Sequence, residues 1–108
     1  MSWGPLGRNF VESIDTAMDA DANSVTTSLD IMGCAVIFAE VTADTGAHTT
    51  HVVAIQCSAD GVVWNDSSTT IAQLGFVNNI AIISRFVRAR VSTKEGEAST
   101  INITIQAK

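Results

Sequence analysis

The fold is decided at the C-terminal end, where "RFVRARVST" (85–93) is followed, after "KEGEA" (94–98), by "TINITIQAK" (100–108). In the first segment Val87, Ala89 and Val91 alternate with Arg88 and Arg90. In the second, Ile101, Ile103, Ile105 and Ala107 alternate with Asn102, Thr104 and Gln106. Side chains of extended chain point alternately to opposite faces, so each segment reads as a strand with one face in a core and one polar face. The short polar loop around Gly96 predicts a β-hairpin, with Arg88 and Arg90 on the same outward face as Asn102 and Thr104.

The same period runs back through the chain. "CAVIFAEV" (34–41) is apolar on both faces, as expected of a strand inside a sandwich or against a neighbouring subunit; "NNIAIIS" (78–84) is similar. "HVVAIQCSA" (51–59) reads as another strand, with "DGVVWND" (60–66) as its return. Asp60-Gly61 supplies the positive φ angles of a type I′ turn, and Trp64 behind it reads as a plug at one end of the core. "TTIAQLG" (69–75) adds a strand, and "SVTTSLDI" (24–31) another with Val25, Thr27, Leu29 and Ile31 on one face. Seven or eight short strands, with turn signals roughly every 8–12 residues, predict an all-β, antiparallel β-sandwich of the jelly-roll or Ig-like kind. Pro5 lies outside every strand. The expected division is an N-terminal arm over 1–16 and one sandwich domain over 17–108. The arm carries Trp3, Leu6 and Phe10, and it either docks on another chain or folds back over its own sandwich.

A chain of 108 residues fits one domain, which should bury roughly two-thirds of its extended surface. Apolar residues make up 46% and charged ones 16%, which excludes a disordered tail. No apolar run approaches the roughly 20 residues that span a bilayer. "MSWGPLGRNF" (1–10) has no continuous hydrophobic segment, so the expectation is a protein made and used without export. Six basic against eleven acidic residues, net −5, argue against bulk affinity for nucleic acid. The charges are segregated, with Glu12, Asp15, Asp19, Asp21, Asp30, Glu40 and Asp44 early and Arg85, Arg88, Arg90 and Lys94 late. Such asymmetry can orient copies, or a copy and a partner; the plainer reading is solvated faces of different strands. Cys34 and Cys57 sit in apolar strand-like runs and read as free thiols; pairing would need their Cβ atoms within about 4.5 Å.

Candidate chemistry is sparse. Asp19, Asp21, Asn23 and Asp30 imitate the spacing of a calcium loop, but Ser24 stands where the sharp turn needs Gly, and Asp30 replaces a chelating Glu. His48 and His51, three apart, would point to opposite sides of a strand and have no third ligand nearby. Neither a nucleophile elbow nor a phosphate-cradling glycine loop is present. A small hydrolase would need an acid–base cluster, for instance Asp or Glu with His48 or His51. Sugar binding needs exposed aromatic platforms, and the strand region has Trp64 alone of its kind and no Tyr. No catalytic residue, cofactor or metal is expected.

"SADGVVW" (58–64) resembles the Asp-box hairpin of sialidases, one residue short because Asp60 and Gly61 are adjacent; that box is a structural turn. Taken together, "IQCSADGVVWND" (55–66), "SRFVRARVST" (84–93) and "ASTINITIQAK" (98–108) resemble small β-sandwich structural proteins of tailed-bacteriophage particles, over roughly residues 25–108. The resemblance implies a capsid decoration or cement protein at the virion surface, made in the host bacterial cytoplasm. Such a protein binds the major capsid protein over joints between subunits and stiffens the shell, as a homo-oligomer, a trimer by expectation. Trp3, Leu6, Arg8 and Phe10 of the arm would then be the anchor, with Arg88 and Arg90 as further contact residues. A tail or neck module binding carbohydrate or a receptor is the alternative.

Overall fold

The computed structural model describes residues 10–108 and is built wholly of strands and connecting loops among them. The strands are β1 (Val11–Asp19), β2 (Leu29–Asp30), β3 (Val36–Gly46), β4 (Val52–Ser58), β5 (Asn65–Ala72), β6 (Gly75–Ala81), β7 (Phe86–Thr93) and β8 (Ser99–Ala107). They form two four-stranded antiparallel sheets, one ordered β1-β8-β3-β6 and the other β2-β7-β4-β5. These are called the β8 sheet and the β7 sheet below. The expected antiparallel sandwich is therefore the observed fold.

The alternation places the core. Ile101, Ile103 and Ile105 of β8 and Val87, Ala89 and Val91 of β7 are all fully buried and face one another's sheets across the interior. Ile37, Ala39 and Val41 of β3 and Val53 and Ile55 of β4 join the same cluster. Removing each such aliphatic side chain from water contributes about 1.5–3 kcal/mol, which is why these strands sit at the sheet centres. Cys34 and Cys57 are free thiols packed on the edge of this core.

Pairing departs from expectation in four places. β7 and β8 do not form a hairpin: they belong to different sheets, and the 94–98 loop crosses between layers. Arg88 and Arg90 thus face outward on the opposite side of the molecule from Asn102 and Thr104. Second, β4 and β5 do pair directly, but through a loop over 59–64 in place of a two-residue type I′ turn. Gly61 alone in that loop has positive φ, at 78°, where type I′ needs two such residues. Third, "SVTTSLDI" yields only a two-residue strand, with Thr26 buried and Val25 exposed. The Thr26 hydroxyl accepts a hydrogen bond from the Ala89 amide at 2.9 Å, which turns that side chain inward. Fourth, β1 starts at Val11, so the segment 1–16 expected as an arm contains more than half of a strand.

The connections define two ends. Phe10, the loops 31–35, 59–64 and 82–85, and Lys108 lie at one end, here the arm end. The loops 47–51, 73–74 and 94–98 lie at the other.

Candidate interaction surface

Three surfaces carry chemistry beyond a plain sandwich. The first is the distal end, where Glu95 and His51 are 4% and 0% exposed. The Glu95 carboxylate accepts from the Thr49 amide and hydroxyl at 2.8 and 3.0 Å and from the Thr50 amide and hydroxyl at 3.1 and 2.9 Å. His51 Nδ1 stands 3.2 Å from the same carboxylate, while Nε2 donates to the Gln73 carbonyl oxygen at 2.8 Å. The Thr50 amide above all, with the Thr50 hydroxyl, His51 and Thr49 adding to it, holds the Glu95 carboxyl well below the usual carboxylate range. This acid–histidine pair is the arrangement a hydrolase would start from. Here both ring nitrogens are occupied, and the pair works as a latch tying three loops together. His48 packs edge-on against His51 at 5.7 Å between centroids. No group of three or more metal-ligating side chains forms among the described residues.

The second surface is the outer face of the β7 sheet, which holds Arg88 and Arg90. The Arg88 guanidinium lies 4.2 Å from the Trp64 ring centroid, and its Nε donates to Gln56 at 2.8 Å. Gln56 donates in turn to Asp66 at 2.8 Å, and Arg90 pairs with the other Asp66 oxygen at 3.2 Å. Trp64 therefore does not plug the core; it is the floor of an outer-face network, with Arg88 stacked on one face of its half-buried ring. Both arginines are held by this network, not poised for a partner. Arg85 is likewise paired, to Asp30 at 2.9 Å. That pairing also ends the calcium resemblance: β1 carries Asp19 to the distal end while Asp30 sits at the arm end. In the 58–64 turn, Asp60 Oδ1 accepts from the Val62 and Val63 amides at 2.9 and 3.0 Å, so this carboxylate is spent on the loop itself.

The third surface is apolar. At the arm end Phe10, Met32, Val62, Val63 and Ile83 are exposed, and Ile83 is 103% exposed. A groove of about 360 Å³ opens between Phe10, Val36, Phe38, Asn78, Asn79 and Lys108. Beside it, on the outer face of the β8 sheet, Ile14 and Phe76 are 60% and 63% exposed, with Phe76 5.9 Å from Phe38 ring to ring. Of the residues expected to anchor the protein, Phe10 lines this groove, Arg88 and Arg90 lie across the molecule from it, and Trp3, Leu6 and Arg8 lie outside the described residues. Ile14 carries no signal of its own in the sequence, because the first six residues of β1 read as arm. Phe38 and Ile83 were signalled by runs that are apolar on both faces.

No family model matches the chain, and no curated protein matches it either. Among solved structures, the crystal structure of the SPBc2 prophage-derived protein YomS is similar, with a TM-score of 0.63 over 92% of this chain and 94% of that one. Sequence identity is 6%, so the likeness is one of fold.

Proposed function

We propose that the protein is a structural subunit of a tailed-bacteriophage particle, of the capsid decoration or cement kind. It binds the major capsid protein over joints between shell subunits and acts as a homo-oligomer, a trimer by expectation. The observation that carries this reading is the arm end, where Met32, Val62, Val63 and Ile83 stand exposed on three loops of the sandwich, beside the exposed Phe10 ahead of β1. Exposed apolar groups gathered in one place mark contact surfaces. The fold shared with a prophage-derived protein supports the phage setting, and the resemblance of the 55–66 and 84–108 segments supports the shell. A carbohydrate-binding role on a tail is disfavoured by Trp64, whose ring face is taken up by Arg88.

Quantitative mass spectrometry of gradient-purified particles tests the assignment. The reading expects the protein in many copies per particle, in fixed ratio to the major capsid protein. Its absence from particles, or a handful of copies matching a single vertex or tail, contradicts it.

A further inference from the structure

The two sheets end in four edge strands, and none offers another chain a long straight row of backbone groups. β2 has only two residues. In β1, Thr16 and Ala17 both stand against Asn102, since Asp15 pairs with Ile103 and Met18 with Ile101. Ala17 holds φ 53°, and its amide donates to the Asn102 side chain at 3.1 Å. In β5, Ser67, Ser68 and Thr69 stand against Ile55. The Ser67 hydroxyl donates to the Ile55 carbonyl oxygen at 2.7 Å and accepts from the Thr69 amide at 3.2 Å. In β6, Asn78 and Asn79 stand against Phe38, with Val77 opposite Ala39 and Ile80 opposite Ile37. Asn79 holds φ 56°, and its amide donates to the Asn78 side chain at 3.0 Å. An extra residue of this kind bends the strand and raises its twist, so a new strand can match the edge on one side of it only.

The interruption matters most in β6. β1 also carries Glu12, Asp15 and Asp19, and the Asp15 carboxylate accepts from the Thr27 amide and hydroxyl at 3.2 and 2.9 Å. β5 carries Asp66. By contrast β6 and the loop after it, "GFVNNIAIIS" (75–84), hold neither a charge nor a proline, and no described strand lies beyond β6. Uncharged segments rich in strand-forming residues, left on a free edge, are the ones that recruit copies of themselves. The core does not require the extra residue. Val77 and Ile80 pack against it, while Asn78 and Asn79 are both exposed. With one residue fewer between them, Val77 and Ile80 would still meet Ala39 and Ile37, because side chains two apart in a regular strand share a face.

We propose that the Asn78–Asn79 bulge guards the β6 edge: it stops a second copy of the chain from adding a strand there, so that closely packed copies meet without merging their sheets. The inference rests on the edge alone and is independent of the particle assignment. It is tested on the purified full-length protein by sedimentation over a range of concentrations. Deleting Asn79 should leave a folded sandwich, with native strand content by circular dichroism, that self-associates roughly tenfold or more tightly than the native protein. Asn79→Gly keeps the positive φ without strain and should sediment as the native protein does. Adding Asn78→Lys to the deletion should return the native mass, since a lysine on an edge opposes pairing. A fluorescent peptide of residues 75–84 should not bind the native protein. A folded deletion variant that sediments as native overturns the proposal. So does a deletion variant that does not fold, because the bulge is then part of the architecture and not a guard. Association of Asn79→Gly equal to that of the deletion, or association of the deletion that Asn78→Lys leaves unchanged, overturns it too. Peptide binding that moves the β6 amide resonances of the native protein does the same.

Discussion

Glu95 accepts hydrogen bonds from the Thr49 and Thr50 amides and hydroxyls and contacts His51, so its charged form is stabilised by folding. A carboxyl with a depressed folded value stabilises the protein above the ordinary Glu range, about pH 4.3, and loses that contribution as pH falls below it. Thermal melts should therefore show the native protein losing more melting temperature between pH 5 and pH 3 than Glu95→Gln does, while Glu95→Gln melts lower at pH 7. Equal acid sensitivity would contradict the latch. At Trp64 the corresponding expectation concerns Arg88: Arg88→Ala should cost about 1 kcal/mol through the lost stacking, measured by denaturant unfolding. The two His residues illustrate what single residues conceal. Spacing shows only that His48 and His51 would point to opposite sides of a strand. The partner of His51 is the buried Glu95, forty-four positions away.

Strands were legible because alternation is a local property, and β8 shows it over its whole length, with each odd-numbered residue buried. Which strand pairs with which was not legible, since alternation fixes the face a residue takes but not the neighbour beside it. The 94–98 loop looks like a hairpin turn in sequence. In the fold, the Glu95 amide donates to the Ala20 carbonyl oxygen and its side chain grips 49–51, pulling the chain into the other layer. The stretch after Asp60 looked like strand, yet Asp60 captures the amides of Val62 and Val63 and keeps both out of a ladder. Two glycines test the geometry at this scale. Gly46 closes β3 at φ 82°, where an added Cβ would collide with the Ala98 carbonyl oxygen and with Ser99. Gly46→Ala should therefore cost about 2 kcal/mol or more. Gly96, with nothing within 4 Å of a built Cβ, should tolerate Ala to within about 0.5 kcal/mol, both read from unfolding midpoints.

The whole molecule is polarised along its strands. A polar latch closes one end, and exposed apolar loops together with the entry of the arm mark the other. Alternation made the sandwich legible in sequence, while the residues expected as contacts fall on different parts of it, Phe10 at the arm end and Arg88 and Arg90 on the outer face of the β7 sheet. Alternation could not gather Met32, Val62, Val63 and Ile83, which come from three loops that only the topology brings to one end. Ile83→Asp should leave the melting temperature nearly unchanged, because Ile83 is fully exposed, while reducing occupancy on particles. A folded variant with full occupancy would move the contact elsewhere.

The two lysines mark the poles, Lys108 at the arm end and Lys94 at the latch end. Amine-reactive cross-linking of intact particles followed by peptide mass spectrometry therefore reads the orientation in one experiment. Links from Lys108 to the major capsid protein, with none from Lys94, are the predicted result. Links to the shell from Lys94 alone would contradict it.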